Sequence, residues 1–143
     1  MHDELFSPTI GDQPPPGKPP WRPESIVYPA FFGGPLAGAL LGVLNGRRLA
    51  LPAAQLLAIA GAGLAGFAVR LAVGAFADSS SAVRLSGTIC GLLVWLAVLA
   101  FQRRRFRLVM LRGVTPANLI GPGIAAAVGC GLLEALLILV LVR

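Results

Sequence analysis

Two ionisable residues stand inside apolar runs of this chain, Arg70 and Glu134. A charge at membrane depth is costly, so such residues usually pair or face a cavity. Arg70 lies roughly 10 Å from the C-terminal end of the run 52–77, and Glu134 roughly 13 Å from the end of the run 116–142, at 1.5 Å per residue. If those two ends share a membrane surface, the two side chains sit at similar depth. Each also lies on a small-residue face. Arg70 is in line with Ala62 and Gly66, and Glu134 is beside Ala127, Cys130 and Gly131. Small faces turn towards neighbouring helices rather than lipid. The pair therefore has two candidate roles. One is an ion pair that fixes helix order. The other is a proton or substrate site in a small transporter or channel.

Other chemistry is hard to assemble from these residues. The one histidine, His2, is in the N-terminal tail, and no nucleophile–base–acid set is present. Cys90 and Cys130 both lie in apolar runs, where a cysteine acts as a small polarisable packing residue. Two such cysteines supply neither a disulfide framework nor a zinc site. No phosphate-binding glycine loop occurs in a strand–helix context. The expectation is a non-enzymatic protein without a metal or cofactor.

The elements that would position Arg70 and Glu134 follow from composition. Of 143 residues, 56% are hydrophobic and only 13% charged, against roughly 25% charged in soluble domains. A soluble domain this small has too little interior to hide that much apolar surface, whereas a bilayer is an apolar solvent. We expect an all-α integral membrane four-helix bundle with spans at about 26–44, 52–77, 82–101 and 116–142. Residues 1–25, rich in proline and charge, read as a disordered tail. Trp21 and Tyr28 stand where that tail should meet the membrane.

Gly34, Gly38, Gly42 and Gly46 recur at every fourth position, which on a helix makes one stripe. With Gly66 on the second span they form the expected packing seam, since bare glycines let helices approach closely. Pro35 should kink the first span after Gly33-Gly34. Gly121-Pro122-Gly123 should bend the fourth near its start, with Thr115-Pro116 as its cap and first position. Such breaks are of the kind that interrupt transporter helices. Ser81 can cap the third span.

The net charge of +6 comes mainly from arginines at the ends of apolar runs. That is a topology pattern and not a nucleic-acid face. Arg47 and Arg48 fall in one loop and Arg103, Arg104, Arg105 and Arg107 in another. In a four-span chain these loops, 45–51 and 102–115, share a side, expected to be cytoplasmic. The tail, the serine turn 78–81 and the C-terminus would then face outward. The arginine run is also a candidate contact for anionic lipid headgroups, each charge worth on the order of 1 kcal/mol near such a surface. The bilayer is the expected partner, with a second copy or another membrane protein as candidate assembly partners.

Gly33-Gly34-Pro35-Leu36-Ala37-Gly38, followed by Asn45 and Arg47-Arg48-Leu49, resembles a segment of small bacterial multi-span membrane proteins with no established activity. The resemblance implies several spans in a bacterial inner membrane and assigns no functional residue. Small multidrug transporters are similar in size and span number. Their essential membrane glutamate lies in the first helix, and 26–44 contains none.

Overall fold

The computed structural model describes residues 17–142. Among the described residues the fold is all-helical. It comprises a short 3-10 turn Pro23–Ile26 and four helices: α1 (Val27–Arg48), α2 (Ala53–Phe76), α3 (Ser80–Met110) and α4 (Ile120–Val142). All four are long and apolar enough to cross a membrane. Their outward faces are lipid-like. Leu57 is 71% exposed and Leu132 67% exposed, which a bilayer tolerates and water does not.

The path of α1 departs from the expected kinked span. Gly34 has φ 81° and ψ −169°, a conformation open essentially only to glycine. Pro35 follows it, so no amide is available to carry the helix across the break. The two halves then fold against each other. Ala30 and Gly38 are eight residues apart, roughly 12 Å along a straight helix. Yet a Cβ built on Gly38 would sit 3.0 Å from the Ala30 Cβ. Residues 27–33 therefore run inward and residues 35–48 run back, a re-entrant hairpin with its tip at Gly34. Both arms touch α3 at successive levels. Gly91 lies against Ala30 and Gly34, Val94 against Gly38, and Val98 against Gly42. The hairpin is the centre of the molecule and packs on α2, α3 and α4, while α2 and α4 touch each other little.

This path puts the ordered part of the tail at the same end as both basic loops, not opposite them. The Trp21 amide donates to Asn45 Oδ1 at 2.8 Å, and the Ala117 amide donates to the Pro20 carbonyl at 2.9 Å. Trp21 is not an interfacial anchor. It is 4% exposed, with the Arg48 guanidinium 3.8 Å from its ring centroid. Tyr28 donates to the Leu119 carbonyl at 2.8 Å, at the start of α4. Residues 19–25 are thus packed, because backbone and side-chain partners from three segments hold them. Residues 1–16 of the expected disordered tail lie outside the described residues.

Three boundaries also differ from expectation. Ser79, not Ser81, caps α3, its Oγ accepting from the Ala82 amide at 3.4 Å. The arginine run does not lie in a loop after residue 101. It continues α3 to Met110, since glutamine, arginine and leucine all favour helix and no breaker precedes Gly113, where φ is 80°. α4 starts at Ile120, with Asn118 Oδ1 accepting from its amide at 2.9 Å. Pro122 then falls in the first turn, where a missing N–H costs nothing, so Gly121-Pro122-Gly123 opens the helix instead of bending it.

Candidate functional site

The hairpin tip ends in the middle of the bundle. A helix that starts there presents unpaired amides and the positive end of its dipole. Pro35 has no amide to offer, so Leu36 supplies the first one. Glu134 of α4 accepts that Leu36 amide through Oε1 at 2.9 Å. Its other oxygen, Oε2, accepts from Arg70 Nη1 of α2 in an ion pair, the one such pair among the described residues. The Glu134 side chain is fully buried, while that of Arg70 keeps 14% exposure. One carboxylate thereby joins α4 to the returning arm of α1 and to α2.

Glycines at the hairpin tip and on α3 make room for the ion pair. A side chain at Gly34 would put its Cβ 2.8 Å from Glu134 Oε2 and 3.1 Å from Arg70 Nη1. One at Gly87 of α3 would lie 2.8 Å from Arg70 Cζ. The guanidinium is therefore sandwiched between the hairpin tip and α3. Its Nε is buried without a protein partner.

The hairpin fills only the half of the bundle towards the basic loops. Beyond its tip, α2, α3 and α4 leave a cavity of about 250 Å³ that reaches the serine turn. Arg70 lies at its depth, and Arg84, Ser79 and Ser80 line it with apolar residues such as Ile138 and Val142. Arg70 is the member of the pair that reaches this cavity, and Glu134 does not line it.

The glycines named from the sequence have different neighbours. Gly34 is the tip itself and not a rung of a stripe. Gly38 faces the other arm of its own hairpin at Ala30, as well as Val94. Gly42 faces Val98 and Ile59, and Gly46 faces Leu56, Leu51 and Gln102. Gly66 of α2 lies against Pro35 and Cys90. Arg47, Arg48, Arg103, Arg104, Arg105 and Arg107 all lie at the end where loops 49–52 and 111–119 meet.

A second buried polar cluster lies at that end, beyond what the sequence singled out. Asn45 and Gln102 are both fully buried. Asn45 Nδ2 donates to Gln102 Oε1 at 2.8 Å and to the Trp21 carbonyl at 3.0 Å, and Gln102 Nε2 donates to the Gly42 carbonyl at 2.5 Å. Asn45 reads from sequence as a helix stop. Its signal as a core residue is that a second amide side chain, Gln102, ends an apolar run on the same side. Among the described residues no group of three or more histidine, cysteine, aspartate or glutamate side chains could hold a metal ion.

No family model matches the chain, and neither the curated proteins nor the solved structures contain a match to it.

Proposed function

We propose that this small integral membrane protein is a non-enzymatic packing or accessory component of its membrane. On this reading Arg70 and Glu134 form a lock that holds the re-entrant hairpin in place. The observation that carries the reading is the burial of Glu134, with both its oxygens committed to Leu36 and Arg70. A carboxylate that shuttles protons must reach water, and this one is sealed. The arginine-rich end sets the protein with loops 45–51 and 102–115 in the cytoplasm of a bacterial cell. Self-association or a membrane protein partner then supplies the biological role.

Reconstitution tests this reading. Vesicles carrying the full chain and an internal pH dye should hold an imposed proton gradient as long as empty vesicles do. Crosslinking in native membranes should capture a second copy or a membrane protein partner. Proton flux that disappears in Glu134→Gln would overturn the proposal.

One observation favours a second reading, a small solute pathway. The cavity from the serine turn ends at Arg70, directly beneath a helix break. Interrupted helices with ends at the midplane are how many transporters hold substrates. In that case the ion pair is a closed gate, and the same vesicles would show flux of a small anion that depends on Arg70.

A further inference from the structure

α3 runs from Ser80 to Met110, and the stretch from Ser80 to Gln102 already covers roughly 33 Å, about the hydrocarbon thickness of a bilayer, roughly 30 Å. The arginines that follow Gln102 are therefore at headgroup level. There the chain forms a groove of about 730 Å³ between the start of α2 and the end of α3. Arg48, Arg104, Arg105 and Arg112 line it, together with Phe101 and Leu108, and no carboxylate does. Those four side chains come from three places: the end of α1, the last turns of α3, and the turn after it. A topology signal needs only charges on one side of the membrane. It does not need them to converge on one concavity.

Two further features point to what fills the groove. Arg48 is fixed in advance, stacked on Trp21 and donating to the Pro19 carbonyl at 3.0 Å. A cation held in place loses little freedom when an anion arrives. The floor also continues into the membrane. An adjoining open groove shares Ala100, Arg104 and Leu108 and extends along α3 to Leu96 and Leu99. Leu96 is half-exposed, as is Leu93 one turn deeper. We propose that this groove binds the phosphodiester headgroup of an anionic phospholipid, whose acyl chains lie along the apolar flank of α3. A soluble phosphate would use the arginines and leave that apolar strip idle.

Native mass spectrometry of the full chain in zwitterionic detergent, titrated with phosphatidylglycerol or phosphatidylcholine, tests this. One phosphatidylglycerol should be retained in preference to phosphatidylcholine. Arg104→Gln with Arg105→Gln should weaken that retention roughly 30-fold, taking about fivefold per arginine near a charged lipid surface. Arg104→Lys with Arg105→Lys should keep most of it. Lys18→Gln with Arg22→Gln, the same loss of charge outside the groove, should leave it intact. Equal retention of the two lipids, or equal losses in the two charge-matched glutamine variants, would overturn the proposal. So would glycerophosphate competing as well as the whole lipid. Increased protease cleavage of residues 1–16 in the Arg104/Arg105 glutamine variant, with lipid retention unchanged, would also overturn it by making the acidic tail the occupant.

Discussion

Removing one partner of the Arg70–Glu134 pair has unequal consequences, and the inequality comes from exposure. In Arg70→Met the Glu134 carboxylate keeps only the Leu36 amide and has no path to solvent. Breaking a buried pair this way costs about 3–5 kcal/mol. In Glu134→Gln the amide oxygen can still accept from Leu36, and Arg70 can swing into the cavity that it already lines. That change should cost about 1–3 kcal/mol, the range for an unsatisfied polar group. The double variant strands no charge and keeps an acceptor for Leu36, so it should be milder than Arg70→Met alone. The coupling should exceed about 1.4 kcal/mol, tenfold in the folding equilibrium. Unfolding in mixed micelles with increasing denaturing detergent, followed for the parent, both singles and the double, measures it. Effects that add to within about 0.5 kcal/mol would refute the lock. So would an Arg70→Met variant as stable as the parent.

Other substitutions probe the hairpin from different sides. Gly34→Ala forces a side chain into a glycine-only conformation, about 1–3 kcal/mol, and places Cβ against Glu134 and Arg70. It should be among the most destabilising alanine changes in the same unfolding assay. Gly91→Ala would drive Cβ into the Ala30 carbonyl and should also destabilise, whereas Gly61, with nothing near its Cβ position, should accept alanine with a gain of up to about 1 kcal/mol. Gln102→Leu removes a partner from Asn45 and should cost about 1–3 kcal/mol. Its tryptophan emission should shift to the red as Trp21 loosens.

Some of this architecture is readable from residues alone, and some is not. The depth of Arg70 and of Glu134 can be counted along their helices at a fixed rise, so their shared level is local information. The break at Gly33-Gly34-Pro35 is equally local, since two glycines and a proline cannot sustain a helix there. Its angle is not local. A bend and a full reversal use the same residues, and the choice is made by Gly91 and Gly66 on other helices, which leave space for the folded tip. The side on which the tail lies followed from that unread angle. The capping errors have a simpler cause. Ser79 and Ser81, or Thr115 and Asn118, are chemically adequate caps at neighbouring positions, and tertiary packing chooses between them. Asn45 and Gln102 end apolar runs on the same side, but that they meet is not local information, because it depends on how α1 packs against α3.

The reversal at Gly34 underlies the whole account, and single-cysteine labelling tests it most directly. In a background carrying Cys90→Ala and Cys130→Ala, cysteines are placed one at a time at the exposed positions Arg22, Ser80 and Arg112. A membrane-impermeant maleimide added to sealed, oriented vesicles should label Arg22→Cys and Arg112→Cys from one face and Ser80→Cys from the other. Labelling of Arg22→Cys from the Ser80 side would mean that α1 crosses the membrane straight, and the hairpin, its tip and the lock beneath it would all be wrong.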